Sequence, residues 1–318
     1  MNENTKKEPR GVVVVGVDGS EEAERGIRYG VAEAARDGRR IRLVHVVHEA
    51  VPLAPMLPMF GSDTLRAVGT QILADAEALV RRLAEDTAHV ETILAHGPRA
   101  GALLAHAGDT SLIVLAPRSS TLERFRTGST TSAVAARAHC PVAAVPEEWM
   151  VAKEHRRVVA AVDGSPVSRD VIAAAFDAAE ERHAALVVVH AWRPVGQYDA
   201  VIGGRVAAEA WQRQSEPAVW ELIAGYRGDY PDVEVQVDLH YQRTVVALAE
   251  ASRHADLLVM GRRGERAPMG LSLGSTARAM LRSGLCPVEI VPSPRHEDVV
   301  LPRQSKAQEV RTRSLPVP

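Results

Sequence analysis

The chain is one unit written twice, and that duplication limits what it can fold into more than any single motif does. Asp18-Gly19-Ser20 returns as Asp163-Gly164-Ser165, and His45 returns as His190, both at an offset of 145 residues. Gly128-Ser129 returns as Gly274-Ser275, and Cys140-Pro141-Val142 as Cys286-Pro287-Val288, both at 146. Four landmarks in one order, at spacings that differ by one residue, predict two homologous domains. The 318 residues suit two cores of about 150 residues each.

Each unit alternates apolar runs with amphipathic segments. Runs at 12–17 and 158–162 end in Asp-Gly-Ser, and others follow at 41–47 and 186–191, 90–95 and 233–239, and 112–116 and 257–261. A last pair, 142–145 and 288–291, stands after each Cys-Pro. Apolar residues make up 46% of the chain and aromatics only 4%, which suits buried strands of Val, Ile, Leu and Ala under Ala-rich helices. Such strands alternating with helices predict a parallel sheet wound on both faces. Ser20 is placed to N-cap the helix that opens with Glu21 and Glu22. Ser165 is expected to do the same, with Pro166 at the first helical position, where no N–H is needed. In the first unit Ile72, Leu73, Ala76, Leu79, Val80 and Leu83 fall on one face of a long helix.

These patterns set the expected boundaries: a polar tail over 1–9, domain 1 over 10–147, a linker over 148–156, domain 2 over 157–293, and a disordered tail over 294–318 rich in Pro, Arg and Ser. A net charge of −2 gives no electrostatic basis for binding nucleic acid or an anionic membrane. No apolar run approaches a membrane span of about 18 residues, and residues 1–10 lack the apolar stretch of a signal peptide. Two cysteines are too few for a disulfide framework or a zinc site. A reduced, cytoplasmic location is the expectation that remains.

Chemistry concentrates in one loop. In domain 2 the fourth strand is expected to close at Met260, followed by Gly261-Arg262-Arg263-Gly264, nine intervening residues, and then Gly274-Ser275-Thr276 opening a helix. Gly261 and Gly264 would let the backbone approach an anion without a side chain in the way. The amides of Gly274, Ser275 and Thr276 would stand at a helix N-terminus facing negative charge. The Ser275 hydroxyl would add a donor, and Arg262 or Arg263 either add charge there or are simply solvated. The loop is neither a Walker loop nor the Gly-x-Gly-x-x-Gly of a dinucleotide fold.

Gly-x2-Gly-x9-Gly-Ser, with Asp-Gly-Ser at the first strand end and Cys-Pro-Val before the last strand, resembles the universal stress protein family. The resemblance spans nearly the whole chain short of the C-terminal tail. It implies two tandem flavodoxin-like (Rossmann-like) domains, each a five-stranded parallel sheet with helices on both faces. It also implies ATP bound across the strand ends, often with Mg2+ or Mn2+. By that resemblance Asp163 holds the nucleoside, the backbone at Ala191 reads adenine, and the loop glycines with Ser275 take the phosphates. Family members pair through their last strands, so 142–145 and 288–291 are expected to meet within one chain, with a homodimer through last strands as a further expectation.

Domain 1 departs from this pattern. Ala116 and Ser119 replace Gly261 and Gly264, and the spacer to Gly128-Ser129 is one residue shorter. A Cβ at both points of close approach should crowd a triphosphate, so domain 1 is expected to bind ATP weakly or not at all. Asp18 is then a turn residue. His45 and His190 are expected as core or strand-end residues, Trp192 as ordinary packing near the adenine position, and Cys140 and Cys286 as inert buried thiols. The apolar segment 51–60, with its prolines and methionines, is expected to pack on its own domain.

The resulting functional expectation is a nucleotide-dependent stress-response regulator with an unidentified protein partner and at most slow ATP hydrolysis. One rival is an enzyme of adenylyl transfer or ATP pyrophosphate cleavage, whose Ser-Gly-Gly-x-Asp-Ser and His-x-Gly-His signatures are missing here. Another is a scaffold that binds no nucleotide, against which the intact second loop argues.

Overall fold

The apolar runs become ten strands of a single sheet. In this computed structural model the described residues are 11–47, 62–117, 130–149, 154–192, 204–262 and 273–292. Both expected tails and the segment 51–60 lie outside them. Domain 1 runs β1 (Val12–Gly16), α1 (Glu21–Asp37), β2 (Arg40–Val47), α2 (Ser62–Leu83), β3 (Val90–His96), α3 (Arg99–Ala105), β4 (Thr110–Leu115), α4 (Thr130–Ala135) and β5 (Val142–Ala144). Domain 2 repeats the order with β6 (Arg157–Val162), α5 (Val167–Glu181), β7 (Ala185–Ala191), α6 (Gly204–Ala224), β8 (Val235–His240), α7 (Thr244–Ser252), β9 (Leu257–Gly261), α8 (Ser275–Ser283) and β10 (Val288–Val291).

The strand order is β3-β2-β1-β4-β5-β10-β9-β6-β7-β8. Each half is parallel, and the halves join antiparallel through β5 and β10, with Val288 opposite Ala144, Glu289 opposite Ala143 and Ile290 opposite Val142. The last strands therefore meet within one chain, as expected. That pairing corrects the homodimer expectation. β5 is bonded to both β4 and β10, and β10 to both β5 and β9, so neither last strand keeps an open edge for a second copy.

Residue alternation along the strands sorts the cores. Val12 and Val14 face one side while Val13 and Val15 face the other. On the first side the residues of α3, α4, α7 and α8 form one apolar core that runs without a break across both domains, through Val142, Ala144, Val288 and Ile290. On the second side the cores stay separate, one under α1 and α2 and one under α5 and α6. On α2, Leu73, Ala76, Leu79 and Val80 are buried and Ile72 and Leu83 pack against the same core, which is the face the sequence pattern predicts.

An ion pair bridges the two separate cores. The Arg182 guanidinium, just past α5, donates to both carboxylate oxygens of Glu33 on α1 at 2.6 Å, and both side chains are almost fully buried. Next to them the Arg36 guanidinium donates to the carbonyl of Glu181 at 3.5 Å. Arg36 and Glu181 are counterparts in the repeat, so the local twofold axis passes between α1 and α5.

Candidate functional site

β6 lies between β7 and β9, parallel to both. The chain leaves β6 into α5 on one face of the sheet and leaves β9 toward α8 on the other. Where two neighbouring parallel strands send their connections to opposite faces, a crevice opens outside their carboxyl ends, and ligands of open α/β sheets bind there. Asp163 follows β6 on one side of this crevice. Gly261 ends β9 on the other, Ala191 ends the adjacent β7, and Gly274, Ser275 and Thr276 form the start of α8. Two expected loop residues, Arg263 and Gly264, lie outside the described residues.

The Asp163 carboxylate is held by its own turn. It accepts from the Ser165 amide at 3.1 Å and from the Ser168 hydroxyl at 3.3 Å. That arrangement corrects the capping expectation for Ser165. The N-cap of α5 is Pro166, already in helical backbone geometry and without a side-chain cap, while Ser168 turns back to Asp163. The Ser165 hydroxyl is buried and caps nothing. In domain 1, by contrast, Ser20 does cap α1, accepting from the Ala23 amide at 3.2 Å. Asp18 there accepts from the amide and hydroxyl of Ser20, which is the turn role expected of it.

Between these turns sits the clearest difference between the domains. Gly19 and Gly164 both adopt positive φ, +78° and +81°, which a side chain would strain. Beside Gly19 the branch of Ile72 from α2 closes the space, 3.1 Å from where a Cβ would stand. Beside Gly164 no described atom lies within 4 Å of that point. Among the described residues, the corner that is open in domain 2 is filled in domain 1. Across the crevice of domain 1 the Ala116 methyl sits close against Gly26 of α1. Ser119, Gly128 and Ser129 lie outside the described residues.

At α8 the N-cap Gly274 is extended and has no side-chain cap. Its own amide donates to the carbonyl of Arg262 at 2.9 Å. The expectation for that amide is corrected accordingly: the amides left at this helix terminus are those of Ser275 and Thr276, where partial positive charge favours an anion. Arg262 is corrected in the same way. It is only 9% exposed, too little for a solvated charge. Its Nη1 donates to the carbonyls of Ala136 at 2.8 Å and Ala138 at 3.2 Å, both in domain 1.

Around Ala191 the walls are aromatic. Its carbonyl accepts from the Thr244 hydroxyl at 3.2 Å. Trp192 packs against Trp211 and Tyr241, with ring centroids 6.1 and 5.7 Å away, and Trp211 stacks on His190 at 5.4 Å. Trp192 thus packs as expected. The parts of Trp211 and Tyr241 were not legible in advance, because each stands in a separate element with no local sign of the others. His190 Nδ1 donates to the Val162 carbonyl at 2.9 Å and His45 Nδ1 to the Val17 carbonyl at 2.8 Å, so both rings tie adjacent strand ends together.

Among the described residues no group of three or more His, Cys, Asp or Glu side chains is placed to hold a metal ion. Both cysteines are free and buried, and burial pushes the thiols up to about 11 for Cys140 and about 12 for Cys286. A separate cavity of about 180 Å³ lies at the amino ends of the domain 2 strands, lined in part by Trp149, His155, Arg253, Asp256 and Cys286. Asp256 there accepts from the amides of His155 and Arg157 at 2.7 and 2.8 Å and anchors the linker to the sheet. No described helix is long and apolar enough to cross a membrane.

Known proteins resemble this chain in sequence and in fold. A universal stress protein of Mycobacterium tuberculosis strain H37Rv is 32% identical over 287 residues, covering 87% of this chain and 95% of that protein. A second one from the same strain is 29% identical over 303 residues, covering 89% and 95%. The crystal structure of a universal stress protein from Archaeoglobus fulgidus superposes with a TM-score of 0.65 at 18% identity, covering 89% of this chain and 97% of that one. The universal stress protein family itself matches residues 10–146 and again 154–292. The chain belongs to that family, as a tandem member with two family domains.

Proposed function

We propose that this chain is a nucleotide-responsive stress protein in which domain 2 binds ATP and domain 1 binds it weakly or not at all. The observation that carries this reading is the contrast at the two glycines: among the described residues the crevice is open beside Gly164 and filled by Ile72 beside Gly19. Asp163 and the Ala191 backbone take the nucleoside end. Gly261 and the Ser275 and Thr276 amides of α8 take the phosphates, with the Ser275 hydroxyl as a further donor. The residues fit such a group, since an uncapped helix start and a side-chain-free strand end converge on one crevice. Mg2+ or Mn2+, carried on the phosphates, would neutralise their charge.

The role is binding rather than turnover, with slow hydrolysis at most. Asp163, the acidic group at the crevice among the described residues, is held as the acceptor of its own turn. Nucleotide occupancy is read by a protein partner, and the free, buried thiols suit a cytoplasmic setting. Denaturing the purified protein and identifying what is released tests the ligand. Adenine nucleotide is expected from the native chain and not from Gly261→Val. Equal release from both would place the site elsewhere.

A further inference from the structure

Arg262 joins the two halves of the molecule at the mouth of the crevice. It directly follows Gly261, and its amide donates to the Val291 carbonyl at 3.0 Å. Its carbonyl accepts from the Gly274 amide at 2.9 Å, which fixes the N-cap of α8. Its guanidinium donates to the carbonyls of Ala136 and Ala138 in domain 1. Those carbonyls lie at the end of α4, where helix carbonyls lack intrahelical partners and carry partial negative charge. α4 also packs against α8. One residue therefore ties the phosphate-facing helix of domain 2 to a helix end of domain 1. The matching position in domain 1 cannot make the same link, because Ala116 stands where Gly261 does and the next residue is Pro117, which has neither an amide donor nor a charge.

We propose that Arg262 is a positioning residue that couples nucleotide binding in domain 2 to the end of α4 in domain 1. The proposal rests on the nucleotide reading above, and it makes domain 1 a support for the site, because its helix end holds the first turn of α8 where a phosphate meets it. Coupling between two sites is reciprocal. Nucleotide in domain 2 tightens the end of α4, and releasing the guanidinium from α4 weakens nucleotide binding.

Hydrogen–deuterium exchange on the full chain, with and without ATP and Mg2+, tests this through peptides covering 134–138 and 275–280. In the native protein ATP is expected to slow exchange in both. Arg262→Met, similar in length but without donors, is expected to lose the ATP effect at 134–138, keep it at 275–280 under saturating ATP, and bind ATP about fivefold more weakly, at the low end of typical site coupling. Arg262→Lys, which keeps the charge, is expected to fall between. Slowing at 275–280 with none at 134–138 in the native protein overturns the coupling alone, and needs no variant. Undiminished slowing at 134–138 in Arg262→Met overturns it too. No ATP effect at either segment overturns the nucleotide reading and the coupling with it.

Discussion

Glu289 on β10 lies directly across the strand junction from Ala143 on β5, its own counterpart in the repeat. The local twofold axis thus passes through a pair that is not symmetric. Two copies of domain 2 joined in the same way would set Glu289 against Glu289, and like charges directly opposite one another destabilise a sheet. Opposite Ala143 the carboxylate instead lies near Arg182. Arg182 in turn is held by Glu33, a residue whose counterpart in domain 2 is Ala178. Domain 1 is the partner that domain 2 is built to pair with.

The junction should make stability depend on pH. The side chain of Glu289 is not sealed along its whole length, but its carboxyl is deep enough that burial pushes it up to about 7, helped by Glu33 and opposed by Arg182 and Arg39. A carboxyl with a raised pKa in the folded state binds its proton more tightly there than in the unfolded chain. Its effect on stability is absent below about 4.5, grows unfavourable as pH rises toward 7, and is complete above it. The shift is worth on the order of 3 kcal/mol. Glu289→Gln should therefore stabilise the protein at pH 8 and do little at pH 4.5, read as the difference in Tm from the native chain at each pH. An equal gain at both would show that the carboxyl is not the cause.

The Glu33–Arg182 pair should be costly to break and cheap to replace. Arg182→Met leaves the buried Glu33 carboxylate with only the longer contact to Arg36 at 3.3 Å, at about 3–5 kcal/mol. The double variant Glu33→Leu with Arg182→Met removes both charges and should recover most of that loss. Urea denaturation of the two single variants and the double variant measures the coupling. A double variant as unstable as the sum of the singles would mean that the two charges do not depend on each other.

The thiols should be unreactive in the folded protein. With Cys140 pushed up to about 11 and Cys286 up to about 12, both buried, almost no thiolate exists at pH 8. An aromatic disulfide reagent should label neither cysteine until denaturant is added. Rapid labelling of either one would show that it is exposed.

Much of this architecture is legible in the sequence because it depends on local pattern. Buried parallel strands are continuously apolar and stand out, while the edge strands β3 and β8 show as alternating runs, and the paired landmarks locate the crevice at Asp163, Gly261 and Ser275 before any contact is known. What depends on contacts between the repeats is not legible. Glu33 and Arg182 are 149 residues apart in sequence, and each reads as an ordinary charge at a helix surface. Arg262 stands inside the glycine loop and reads as either a phosphate ligand or a solvated charge, yet its side chain answers to carbonyls 124 and 126 residues earlier. Ser165 misleads for a local reason: Pro166 is itself already helical and takes the cap position, and the Ser168 hydroxyl bonds the Asp163 carboxylate.

The proposed function gives the molecule one working nucleotide site in two matching domains. Isothermal titration of the purified chain, freed of nucleotide, with ATP and Mg2+ tests it most directly. One site per chain is expected, abolished by Gly261→Val. Two sites of comparable affinity, or none, would contradict it.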